Sequence, residues 1–465
     1  MIQRIGSRLM ALWARPGIWS LLVCLWFGFS GWLTVQELGY WRQHRVLNWD
    51  IEAYYHYLPA LFIHGDVRDL DHVTEVDHEI HPSDGQFRYG IFRVEDTGWD
   101  CIKYTYGVAL FQMPLFLVAH AYASWSPTPY EANGFSAPYQ LAVVLSTLLF
   151  VLLGLLILRD LLLRYVDDRC SALALIVLGF GTNLHFYATH DAGMSHGYQF
   201  FLFAAILWST VAWHARPSLT RMSLLGLAIG VLVITRPVDI LLALVPLVWT
   251  GPGGYTSKWR LWRAHPGQLA AGFACFLLPL IPQLVYWKAT TGAWVFNSYR
   301  GEHFVWSDPH VWEGLFGFRK GWFVYSPLVL LGWAGMIVGL AEREQRRVVM
   351  PLWIFFAVYL YVVFSWEQWW YGGGYGARPL VGSLALLALP MGMLFQRLFA
   401  GRLIVQVSLA VLILAGVHLT LFQERQYRIT LLRWDGMTQE RYWQIWGKEN
   451  WDGVPAFPED VPSGT

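Results

Sequence analysis

The sequence predicts an all-α, polytopic membrane protein with about 11 transmembrane helices and a large first external loop carrying membrane-surface helices. Three observations predict it. Of 465 residues, 55% are hydrophobic and 14% charged, against about 25% charged in soluble domains. Apolar runs near the ~20 residues needed to cross a bilayer recur along the chain. Every second connection between them is short and basic, as orientation by positive charge requires. A β-barrel does not fit, because its strands read as short alternating segments. A net charge of +1 leaves no dominant basic face and argues against a nucleic-acid partner.

The candidate spans fall at 17–36, 138–158, 170–189, 195–214, 220–235, 238–251, 268–288, 324–341, 349–366, 378–396 and 403–421. Arg4, Arg8 and Arg15 place the N-terminus in the cytoplasm, and with no A-x-A-like cleavage site the first run reads as an uncleaved span. Further inner loops carry Arg159, Arg164 and Arg169; Arg216 and Arg221; Lys258, Arg260 and Arg263; Arg343, Arg346 and Arg347; and Arg397 and Arg402. The segment 106–125 is apolar enough to span, but a crossing there would flip every later basic loop. It therefore reads as an interfacial or re-entrant helix, and Gly107, Pro114 and His120 suit packing against protein. The organisation is then 1–36 as N-terminus and first span, 37–137 as external loop, 138–421 as transmembrane bundle and 422–465 as a short external tail. Loops 289–323 and 366–379 also lie outside. Cys24, Cys101, Cys170 and Cys275 form neither a disulfide framework nor a CxxC metal site.

Polar residues that hydropathy does not explain collect on the outer face. In "NWDIEAYYHYLPAL" the acids Asp50 and Glu52 open a helix beside Tyr54, Tyr55 and Tyr57. They serve either as helix-terminal acids favoured by the macrodipole or as a general base or metal-binding carboxylate at the bilayer surface. Lys103 and Tyr104 precede the segment 106–125, where a lysine either snorkels or holds a phosphate. In "HDAGMSHGYQFF" metal spacing and a nucleophile elbow are both missing, and His196 reads as a hydrogen-bond donor to an anionic or hydroxylic ligand, or as a packed histidine. In "TRPVD" Arg236 interrupts an apolar stretch, where an arginine pairs locally, here with Asp239, or faces a cavity and binds phosphate. Arg319 and Lys320 sit in "GFRKGW" on the side normally depleted of positive charge. "WEQWWYGGGYGARP" sets Trp366, Trp369, Trp370 and Tyr371 beside a glycine run and Arg378, an aromatic wall suited to a sugar ring or an apolar chain.

The ordered set "YTYGVALFQMPLFLVAH … MSHGYQFF … TRPVDILL … LFGFRKGWFVYSP … WWYGGGYGARP", following a first span and an acidic pair, resembles the GT-C class of membrane glycosyltransferases. That class includes the protein O-mannosyltransferases and the aminoarabinose transferases that modify lipid A, and the resemblance is to a bacterial branch, over residues 45–395. It implies a multi-pass protein of the bacterial inner membrane with its active site on the periplasmic face and its C-terminus outside. The donor is a polyprenyl-phosphate sugar, the acceptor a lipid or envelope glycan, and the displacement inverting. The resemblance makes Asp50 the catalytic base and has Glu52 assist it, or hold a divalent cation, Mg or Mn, where one is used. Lys103, Tyr104, His196, Arg236, Arg319, Lys320, Trp370, Tyr371 and Arg378 are the candidates for holding the donor and its phosphate. The tail is too short for the large soluble domain of several members. Two other classes are compatible with the same residues: a flippase for a lipid-linked sugar, and a non-catalytic subunit of an envelope assembly.

Overall fold

The structure, a computed structural model, describes residues 17–72, 75, 89–125, 127–251, 254–299 and 301–454. The orienting residues Arg4, Arg8 and Arg15, together with the end of the tail, lie outside the described residues. The first span is α1, Ile18–Leu38, and the acidic stretch opens α2, Trp49–Tyr55. A two-stranded hairpin follows, β1 (Ile91–Arg93) against β2 (Asp100–Ile102). Then come α3 (Gly107–Ser124), α4 (Ala137–Leu162), α5 (Asp168–Phe180), α6 (Leu184–Thr189), α7 (Ser195–Ala215) and α8 (Leu219–Thr235). The second half holds α9 (Pro266–Thr291, bent at Leu278 and Pro279), α10 (Val329–Gly339), α11 (Arg343–Phe364), α12 (Leu384–Phe399) and α13 (Leu403–Arg428). The hairpin is a departure from the all-α expectation: two three-residue strands inside a polar loop, one of them buried throughout, carry no period-two signal to read as strands.

Among the described residues six helices are long and apolar enough to cross a membrane: Ile18–Gln43, Gly107–Ser124, Ala137–Leu162, Pro266–Thr291, Arg343–Phe364 and Leu403–Arg428. Shorter apolar helices account for further expected spans, and some of the expected spans are broken helices. The stretch 170–189 divides into α5 and α6 at Gly181–Asn183. Arg236 leaves α8 in extended backbone, and Pro237–Ala243 continues as a 3-10 turn. Ser326 interrupts the chain between Trp322–Tyr325 and α10, and Arg378–Leu380 is a 3-10 turn before α12. Three of the four breaks coincide with Pro237, Pro327 and Pro379, which lack an N–H; Arg236 and Ser326, each before a proline, leave the helical region.

The helix ends of α1, α4 and α5 are tied to one another. Asp168 accepts the backbone N–H groups of Trp19 and Ser20 at 2.8 and 3.1 Å, and Arg159 donates to the Gly17 carbonyl at 2.6 Å. At the other end of α4, Gln140 accepts the N–H groups of Val46 and Leu47 at 2.9 and 3.0 Å, which seats the chain leading into α2. The segment 106–125, expected as an interfacial or re-entrant helix, holds the continuous helix α3, which runs along the N-terminal half of α4. Phe111 meets Phe150, and its carbonyl accepts from Ser146 at 2.9 Å; His120 meets the Tyr139 hydroxyl at 2.7 Å. The tail folds back on the end of α13, with Gln426 donating to the Ile445 carbonyl at 2.8 Å and Gln423 to the Tyr442 hydroxyl at 2.6 Å.

Helices α8 and α9 cross with backbone in contact. A Cβ at Gly226 would lie 1.9 Å from the Gly272 carbonyl oxygen, closer than any side chain can come. Gly226→Val is therefore expected to push the two helices apart and cost ~1–3 kcal/mol, as overpacking does. Thermal unfolding of the purified variant in detergent should show a clearly lowered midpoint; an unchanged midpoint would show that the crossing is not tight.

Candidate active site

The breaks meet one another. Asn183 donates its backbone N–H to Ser326 Oγ at 3.2 Å and its side-chain amide to the Tyr375 carbonyl at 3.3 Å. Arg236 donates to the Pro379 carbonyl at 3.0 Å. Backbone groups freed by one interruption are satisfied by another, as interrupted helices at membrane depth require. The result is a polar floor carrying two arginines, Arg236 and Arg378, beneath α2.

Asp50 stands on that floor. Asn48, not Asp50, occupies the N-cap of α2, so the acid is not spent on capping. Its Oδ1 accepts two hydroxyls, from Tyr89 and Tyr104, each at 2.7 Å, and its Oδ2 lies 3.2 Å from the Arg378 guanidinium. The hairpin explains the two tyrosines. Tyr89 lies just before β1 and Tyr104 just after β2, and pairing of the strands, continued by Lys103 N–H to the Gly90 carbonyl at 2.7 Å, brings them side by side. Asp50 is 8% exposed. Burial alone would raise its carboxyl; Arg378 and the two hydroxyls outweigh this and hold it below the usual carboxylate range. Trp49, immediately before it, has φ 45°, and Tyr371, under Arg236, has φ 58°. Left-handed backbone at non-glycine residues is a strain that concentrates at functional sites.

The glycine run wraps Arg378. Gly374 has φ 145°, and a Cβ there would lie 3.1 Å from Arg378 Cδ and 2.8 Å from the Tyr187 hydroxyl. Arg236 is held differently. Its guanidinium carbon lies 5.1 Å from the centre of the Tyr371 ring, and among the described residues no carboxylate is within ion-pair distance of it. The local Arg236–Asp239 pairing offered by the sequence is not a direct one. Asp239 instead accepts from Gln199 at 2.9 Å and from Tyr359 at 2.8 Å. Arg236 is thus a cation whose counter-charge is not supplied by a direct ion pair.

Of the residues singled out in the sequence, Asp50, Tyr104, His196, Arg236, Tyr371 and Arg378 come together. Three expected phosphate ligands are already engaged. Lys103 pairs with Glu302 at 2.9 Å. Arg319 makes a two-pronged pair with Asp435 at 2.8 and 2.9 Å and lies 3.7 Å over the Trp370 ring, which places Trp370 with the tail. Lys320 is buried and donates to the Gly374 and Trp434 carbonyls; burial pulls it down to about 7. Glu52 is buried but is not among the partners of Asp50, because residues two apart lie on opposite sides of a helix. Arg300, in loop 289–323, lies outside the described residues.

Two residues of the site carried no usable sequence signal. Tyr89 joins only through strand pairing. Asp191 lies near Arg378, Lys320 and Asp50, and burial raises it to about 6 against the pull of the two cations. The residues present do not fit a divalent cation at Asp50. Mg and Mn take several oxygen ligands, whereas here one carboxylate oxygen accepts two hydroxyls and the other faces a guanidinium. Among the described residues no group of three or more His, Cys, Asp or Glu side chains could hold a metal ion.

No protein-family model and no curated protein sequence matches the chain. Among solved structures the chain is similar to the oligosaccharyltransferase of Archaeoglobus fulgidus in its apo form, with a TM-score of 0.49 and 12% sequence identity. The similarity covers 95% of this chain and 59% of that one, so this chain spans less than two thirds of its length.

Because the folded state depresses Asp50, the stability it contributes is present above the ordinary carboxylate range and lost as pH falls through the lowered value. Infrared difference spectra against Asp50→Asn should show no protonated Asp50 carboxyl in the wild type at about pH 5. In Arg378→Gln burial acts without its opposing cation, and the carboxyl band should appear at a higher pH than in the wild type. An identical titration in both proteins would contradict the assigned role of Arg378.

Proposed function

We propose that the protein is an integral membrane glycosyltransferase. It transfers a sugar from a polyprenyl-phosphate donor to a lipid or glycan acceptor at the outer face of the membrane, with inversion. One observation carries the reading: an ionised, largely buried carboxylate shares a polar floor with a second cation, Arg236, that has no direct ion-pair partner. The GT-C resemblance of the sequence points the same way.

In this reading the acceptor hydroxyl approaches Asp50, which takes its proton as the acceptor oxygen bonds to the anomeric carbon. The bond from that carbon to the phosphate oxygen breaks on the opposite side, and polyprenyl phosphate leaves with the electron pair. Arg236 stabilises the charge that develops on the departing phosphate, a contribution commonly among the largest in catalysis. Arg378 and the two tyrosines keep Asp50 ionised and fixed in direction. No step is assigned to a metal ion. Broken helices meeting at depth are also the apparatus of transporters, so a flippase for the same lipid is the second reading.

The test uses purified protein in lipid with a panel of radiolabelled polyprenyl-phosphate sugars. The wild type should release polyprenyl phosphate, by slow hydrolysis if no acceptor is present. Asp50→Asn retains a carbonyl for the tyrosines and should stay folded while losing at least about a hundredfold in rate, as loss of a general base does. Release at the wild-type rate by Asp50→Asn would overturn the base. Binding without release by either protein, together with movement of the lipid between leaflets, would assign transport.

A further inference from the structure

His196 opens α7 and is 5% exposed. Its Nδ1 lies 3.1 Å from Gln199 Oε1, one turn along the helix. Gln199 Nε2 in turn donates to Asp239 Oδ2 at 2.9 Å, and the other oxygen of Asp239 accepts from Tyr359 at 2.8 Å. This chain has a direction. A carboxylate only accepts, so the amide nitrogen of Gln199 faces Asp239 and its carbonyl oxygen faces the imidazole. A carbonyl oxygen also only accepts, so Nδ1 carries the proton. In the neutral ring Nε2 then holds a lone pair.

That nitrogen is buried, and no group among the described residues donates to it. The ring's charged neighbours are Arg378, Arg236 and Asp50, the members of the site. The nearest hydroxyl-bearing ring, Tyr187 at 4.9 Å in edge contact, has its own oxygen committed, donating to the Tyr375 carbonyl and accepting from the Tyr375 N–H. A buried acceptor left unfilled costs free energy, so this lone pair is a place for a donor hydroxyl, of a water or of a ligand. The sequence reading of His196 as a donor is thereby reversed. An ionised phosphate offers only acceptor oxygens and cannot fill the position; a hydroxyl can.

We propose that His196 Nε2 accepts a hydrogen bond from a hydroxyl of the transferred sugar, and so distinguishes a sugar-bearing lipid phosphate from a bare one. The inference rests on the donor reading above. Arg236 takes the phosphate, which both lipids share; His196 reads what only one of them carries. Gln199, Asp239 and Tyr359 are positioning residues that set the tautomer.

Two measurements on the full chain in nanodiscs test this. The first compares binding of farnesyl phosphate with binding of farnesyl-phosphate glucose and farnesyl-phosphate mannose. The wild type should prefer at least one sugar ester by about tenfold. His196→Ala should abolish that ratio by weakening the sugar esters more than farnesyl phosphate, His196→Gln should restore part of it, and Arg236→Gln should weaken all three lipids. Equal weakening of bare and sugar-bearing lipid by His196→Ala, or an intact ratio, would overturn the assignment. The second measurement needs no ligand: nitrogen-15 spectra of histidine-labelled protein, with His196 assigned by its absence in His196→Ala. A proton on Nδ1 and none on Nε2 supports the directed chain, and a proton on Nε2 overturns it. Wild type that binds none of the three lipids would sink the donor reading, while the spectra still decide which atom of His196 is the acceptor.

Discussion

The ion pair between Asp50 and Arg378 is the interaction on which the rest of the site depends. It joins two segments 328 residues apart, the helix after the first span and the turn before α12, across 3.2 Å. Taking a carboxylate out of water is costly unless its lone pairs and charge are answered. Here each answer has a dedicated piece of structure. A hairpin delivers two hydroxyls to one oxygen, and a glycine run bends closely enough around Arg378 to hold its guanidinium against the other. Side-chain exposures of 18% for Arg378 and 11% for Asp50 leave the pair at a boundary instead of sealing it in. A carboxylate so placed is both fixed and reachable.

A second constraint shapes the floor below it. A helix that crosses without interruption hides its backbone and offers a ligand only side chains. Breaking four apolar stretches near the same place exposes carbonyls and N–H groups that must be satisfied, and the breaks satisfy one another: Asn183 with Ser326 and Tyr375, Arg236 with Pro379. Arg236 can therefore stay charged in an apolar surrounding without a direct carboxylate partner, its guanidinium resting on a backbone carbonyl and an aromatic face. Compensation of this kind leaves net charge for a ligand to neutralise.

Much of this was legible in the sequence, for physical reasons particular to each residue. Arg236, Arg378 and Asp50 stood out because charge within or beside apolar runs is rare, and the structure brings the three together. Tyr104 and Tyr371 came with them by proximity along the chain. Lys103, Arg319 and Lys320 looked equally exceptional, yet their partners are Glu302, Asp435 and the carbonyl of Trp434, 199, 116 and 114 residues away. A single sequence does not reveal pairings at that distance. Glu52 was grouped with Asp50 by adjacency, which helical geometry undoes. The span boundaries were read from length and hydropathy, which marked the break at Pro237 but passed over those at Gly181–Asn183 and Ser326, and Tyr89 owes its place to a strand register that leaves almost no periodic trace.

We propose a division of labour on one floor: Arg378 is occupied by Asp50, and Arg236 is kept for the phosphate. The most direct measurement is a cryo-electron microscopy structure of the full chain in nanodiscs with a non-cleavable polyprenyl-phosphonate sugar. The expected map shows the phosphonate against Arg236, the Asp50–Arg378 pair intact, and the anomeric carbon facing Asp50. A phosphonate seated instead at Arg319 and Lys320, or one that takes Arg378 away from Asp50, would contradict it.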